Sequence, residues 1–106
     1  MAHPERYVSV QKDVARAEEI GRSAALVVDL GAIEGAHGRN EMKTVRRLLE
    51  ENLVHAAATD IHNPNDQRAI AAGMAWIKKR LGEPALDRLL DHNPRRILAG
   101  ELPELA

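Results

Sequence analysis

The sequence predicts an α/β chain built on parallel strands. Two observations carry this. The runs AALVVDL (24–30) and LVHAAAT (53–59) are continuous, apolar and short, the pattern of strands buried on both faces. The segments around them repeat apolar residues at helical spacing, and strands alternating with helices form βαβ units.

The elements follow in order. Val14, Ala17 and Ile20 lie on one face of a helix predicted over about 12–20, with Gly21 as its stop. The first strand follows. GAIEGAHGRN (31–40) carries three glycines and reads as a loop in which Asn40 can cap the next helix. EMKTVRRLLEEN (41–52) places Met42, Val45, Leu48 and Leu49 on one face, and Asn52 ends it. The second strand gives way to a polar turn, DIHNPND. A helix over 66–82 has Ile70, Met74, Ile77 and Leu81 as its stripe and stops at Gly82. Pro84 opens a short helix over 84–92, and an Asn93 cap with Pro94 opens the last, over 93–101. The total is about two parallel strands and five helices. Two strands make a poor parallel sheet, so the chain reads as part of a larger α/β barrel or layer.

Composition narrows the function. The 106 residues suit one small domain. There is no Phe, one Trp and one Tyr, too few aromatics for a base-stacking surface. Fifteen basic residues against sixteen acidic ones leave no nucleic-acid footprint and no polybasic membrane segment. Without Cys, a metal would be held by His, Asp and Glu. No apolar run approaches the roughly 20 residues that span a bilayer, so a cytoplasmic protein without membrane insertion is expected.

In a parallel βα fold, ligands gather at the carboxyl ends of strands. Asp60 and His62 follow the second strand. In extended backbone, residues two apart point the same way, so both could reach one metal ion. On this motif alone, a polar turn with His62 solvated is the plainer reading. His3 precedes a proline, which favours extended backbone there. Arg6, three residues on, suits bidentate phosphate binding, and a surface Arg on a loose terminus is the plainer reading. His37 lies in the glycine-rich loop and reads as solvated. His55 is early in its strand and reads as structural. His92, Arg95, Arg96 and the run Lys78–Lys79–Arg80 read as surface residues, and Trp76 as packed between helices.

Four segments in this order, AHPERY, ALVVDLGAIEGAHG, NLVHAAATDIHN and HNPRRILAGE, resemble the carboxyl-terminal half of one group of enzymes. These are the metal-dependent tyrosine-protein phosphatases of bacterial capsule and exopolysaccharide synthesis, in the polymerase and histidinol phosphatase (PHP) family. The resemblance covers about residues 2–101, leaving 102–106 as a tail. It implies a partial (β/α)₇ barrel of PHP type. It implies His3, Asp60 and His62 as ligands of a divalent metal (Mn, Fe or Zn), and Arg6 as the group that binds phosphate and stabilises the phosphoryl group in transfer. The implied substrate is a phosphotyrosine protein, a polysaccharide-synthesis kinase.

The sequence departs from that family in two ways. It lacks the family's amino-terminal H-x-H pair and further ligands, which Asp29 and Glu34 do not replace, and it has DLGAI where a small polar segment is usual. The expectation is therefore an incomplete domain, weakly active or inactive alone. The missing amino-terminal half or a second copy would complete it, with the edge beside the first strand needing a cover. The alternative is a metal-free structural or interaction remnant that binds a kinase partner.

Overall fold

The computed structural model describes residues 2–35, 38–58, 66–103 and 105. The helices are α1 (Val8–Lys12), α2 (Ala15–Gly21), α3 (Arg39–Glu50), α4 (Asp66–Leu81), α5 (Glu83–Asp87) and α6 (Asn93–Leu98). The strands are β1 (Val27–Asp29) and β2 (Ala56–Ala58). Tight 3₁₀ turns occupy Pro4–Arg6 and Leu30–Ala32, and a wider helical turn, Arg88–His92, joins α5 to α6.

The α/β class and the parallel pairing hold. β1 and β2 pair in parallel, with Val27, Val28 and Asp29 opposite Ala56, Ala57 and Ala58. Both strands are shorter than the apolar runs that predict them. On the other edge of β1, Ala2 forms a parallel bridge with Val27, and the His3 N–H donates to the Val27 carbonyl at 2.7 Å. The edge expected to need a cover is thus taken by the first residues of this chain. Among the described residues, the outer edge of β2 has no strand beside it.

The core lies between β1, α3 and α4. Leu26, Val28, Leu30, Ile33, Val45, Leu48 and Ile77 are wholly buried there. The first predicted helix is α2, which starts at Ala15, and α1 lies ahead of it where the periodicity predicts no helix. Asp13 is extended (φ −150°, ψ 101°), which ends α1, and its Oδ1 accepts the Ala15 N–H, which starts α2. Asn40 does not cap α3: the helix begins one residue earlier, after Gly38. Asn52 does stop it, in the left-handed conformation at φ 57°, with the Leu53 N–H returning to the Leu48 carbonyl.

Helix α4 is turned from the stripe the periodicity predicts. Met74 is exposed, and Gly73 beside it is buried against the Leu30 carbonyl. The missing side chain lets the helix lie directly on the Leu30–Ala32 turn, and that close approach sets its rotation. Trp76 is half-buried between the Arg46 and Arg80 guanidinium groups, 5.6 and 5.8 Å from the ring centre.

His55 and Asn93 hold β2. The His55 Nδ1 accepts the Leu26 N–H at 2.9 Å, so the ring is neutral with its proton on Nε2. The Asn93 amide donates to the His55 carbonyl at 2.6 Å, an anchor for α6 and not the helix cap expected of it. Arg95 and Arg96 pair with Asp91 and Glu101 on the surface. Pro103, within the expected tail, is buried.

Two predictions follow from this packing. A Cβ at Gly73 would collide with the Leu30 carbonyl. Gly73→Ala should therefore cost about 1–3 kcal/mol despite its better helix propensity, measured by urea unfolding. Burial holds the His55 pKa below its ordinary 6.5. The unfolded chain then binds the extra proton first, so this residue's contribution is complete above 6.5 and is lost as pH falls below it. Subtracting the pH profile of His55→Gln from that of the parent isolates this slope.

Candidate metal site at the carboxyl end of the first strand

Two parts of the sequence, His3 with Glu5 and Asp29, meet at the carboxyl end of β1. Pro4 fixes the start of the 3₁₀ turn, and the turn carries Glu5 inward until its side chain is wholly buried. The Glu5 Oε1 accepts the Asp29 N–H at 3.1 Å. Asp29, the last residue of β1 and 1 % exposed, accepts the Gly31 N–H at 2.9 Å through its own carboxylate. The His3 Nδ1 lies 3.7 Å from the Glu5 Oε1, with the His3 side chain 28 % exposed.

The backbone at His3 is left-handed (φ 55°, ψ 52°), not the extended form favoured before a proline. For a residue with a side chain this costs about 1–2 kcal/mol. It persists because its surroundings over-determine it. Ala2 is pinned against Val27, the His3 N–H is bonded to the Val27 carbonyl, and Pro4 opens the turn at once. Strain of this kind concentrates at functional sites.

The electrostatics favour a cation here. Burial raises the Glu5 pKa above its ordinary value. Hydrogen bonds from the Glu5 and Asp29 N–H groups and the nearby His3 work against that rise, and the Asp29 carboxylate adds to it. The Glu5 Oε2 is buried and accepts no hydrogen bond among the described residues. A buried carboxylate oxygen beside an imidazole fits a divalent metal or a proton. Among the described residues, no three His, Asp or Glu side chains converge closely enough to hold a metal by themselves. His3 offers one imidazole donor toward such a site, with the Glu5 carboxylate 3.7 Å from its Nδ1.

The backbone of Arg6 closes the same turn as Glu5. The Arg6 side chain, Asp60, His62 and His37 lie outside the described residues. Of the four residues the sequence singled out for chemistry, the structure therefore places His3. It adds Glu5, which sequence reasoning passed over. The signal was present as an acid two residues after a histidine, but a buried Glu and a surface Glu look alike in one sequence. It also places Asp29 at the carboxyl end of a strand, where acids are informative.

The CpsB/CapC family of capsular polysaccharide synthesis matches residues 1–99. The chain belongs to the CpsB/CapC family. The fold is similar to a crystal structure from work on YwqE from Bacillus subtilis and CpsB from Streptococcus pneumoniae, described as unique metal-dependent tyrosine phosphatases. The match has a TM-score of 0.82 at 23% identity and covers 99% of this chain but 43% of that one. The CpsB/CapC chain here thus spans less than half the length of its solved relative. No curated protein matches it.

Removing the Glu5 carboxylate tests how this corner of the CpsB/CapC chain is held. Glu5→Ala would leave the buried Asp29 N–H without its acceptor, at a cost of about 1–3 kcal/mol. For a domain of this size, the melting temperature should fall by roughly 4–8 °C per kcal/mol, read by calorimetry.

Proposed function

We propose that this chain is part of a divalent-metal-dependent phosphotyrosine protein phosphatase acting in capsule or exopolysaccharide synthesis. The observation that carries the reading is the CpsB/CapC match across 1–99, which includes AHPERY and TDIHN. In this reading His3, Asp60 and His62 hold the metal (Mn, Fe or Zn), and Arg6 binds the phosphate of a phosphotyrosine on a polysaccharide-synthesis kinase. The metal supplies charge neutralisation and an acidified water. Arg6 neutralises charge on the phosphoryl oxygens, and the left-handed turn at His3 fixes where its imidazole sits. The partial barrel and the cytoplasmic location belong to the same reading. Among the described residues, no helix is long and apolar enough to cross a membrane.

A second observation supports incompleteness. An apolar groove of about 430 Å³ runs beside β2, lined by Val27, Ala57, Leu90, Pro94, Ile97 and Leu98. Leu98 is 90 % exposed. Parallel sheets are stable when both faces are covered. The groove therefore takes the remaining strands of the domain, the part of the solved relative this chain does not span. Those strands would bring the further ligands, and the chain alone is weakly active or inactive. Light scattering that finds a stable homodimer would assign the groove to a second copy.

The test sets the chain beside a version extended at the amino terminus to the length of the solved relative. Phosphotyrosine-peptide hydrolysis is measured together with metal content. The extended protein should hydrolyse the peptide, lose activity to a chelator, and lose roughly 100- to 1,000-fold in kcat/KM with Arg6→Ala. Equal rates for the two lengths would refute the incomplete-domain reading. No bound metal in the extended protein would refute the phosphatase reading.

A further inference from the structure

The CpsB/CapC reading gives His3 a metal to bind but leaves the buried Glu5 without a task. Its position is fixed by β1: Oε1 is held on the Asp29 N–H at 3.1 Å, so the carboxylate cannot swing freely about its own side chain. The left-handed turn then brings the His3 ring back over it, with Nδ1 facing Oε1 at 3.7 Å. In extended backbone, His3 would sit away from this pocket, so the strained turn and the contact belong together.

An imidazole has two nitrogens, and what one of them faces decides what the other does. A carboxylate facing Nδ1 favours the tautomer that carries its proton there. The lone pair is then on Nε2, at the far side of the ring. Histidines that bind metals are commonly oriented this way by a carboxylate behind them. The separation of 3.7 Å exceeds hydrogen-bond range, so in this structure the carboxylate acts through its charge.

We propose that Glu5 is the positioning carboxylate of His3: anchored on β1 through the Asp29 N–H, it places the ring proton on Nδ1 and presents Nε2 to the metal. The metal itself comes from the phosphatase reading above, on which this inference rests. Glu5 acts through His3 and is not a ligand. The plainer role, an acceptor that only satisfies the Asp29 N–H, predicts that the charge is unimportant.

Glu5→Gln separates the two roles, because its amide oxygen still accepts the Asp29 N–H while the charge is gone. The first arm uses the metal-free extended protein at a pH of about 8, where imidazoles are neutral. Long-range ¹⁵N correlation reads the His3 tautomer. The parent should show the proton on Nδ1, and E5Q should shift toward Nε2, the form a free imidazole prefers. The second arm measures Mn²⁺ affinity by equilibrium dialysis, where E5Q should lose roughly 10- to 100-fold. An unchanged tautomer together with unchanged affinity overturns the positioning role and leaves the phosphatase reading standing. A parent protein that binds no Mn²⁺, Fe²⁺ or Zn²⁺ overturns both. If E5Q does not fold, Glu5→Asp retracts the charge by one methylene and should move both readouts in the same direction; no movement overturns the proposal.

Discussion

The bond between the Glu5 carboxylate and the Asp29 N–H ties the first turn of the chain to the end of its first strand. It is wholly buried, so neither partner has water as an alternative. Because Glu5 must reach inward, Pro4–Arg6 must curl into a tight turn there. Because that turn starts at Pro4 while Ala2 lies along Val27, the backbone must reverse at His3, and the left-handed conformation is the result. The local cost at His3 is offset by the ladder bond behind it and the buried carboxylate ahead of it.

The same constraint decides which edge of the sheet stays open. Ala2 and His3 occupy one edge of β1, and β2 occupies the other. β2 is secured from behind by His55 on the Leu26 N–H and by Asn93 on the His55 carbonyl. Among the described residues, the flank of β2 has no strand beside it, next to the apolar groove and Leu98.

Much of the architecture was legible in the residues. The apolar runs marked both strands, and Asn52 and Gly82 marked helix ends by their freedom to adopt positive φ. What periodicity could not convey was close approach. Gly73 carries no hydrophobicity, so the pattern assigned the buried stripe of α4 to Met74, whereas contact with the Leu30 carbonyl favours the residue with no side chain. Asn93 looked like a cap because Asn before Pro usually is one; a carbonyl 38 positions away in the sequence claimed its amide instead. At the site, the order of AHPERY and TDIHN singled out His3, Arg6, Asp60 and His62. The role of Glu5 depends on a pairing across 24 residues, which local spacing does not encode.

Strand β2 is three alanines. Side chains that small define almost no shape of their own, so the neighbours that bury Ala56 and Ala57 must supply the bulk. The volume there is set by the packed neighbours, and the alanines act as clearance. Enlarging one of the two buried alanines would displace those neighbours. Selection at these positions should therefore act on size more than on hydrophobicity.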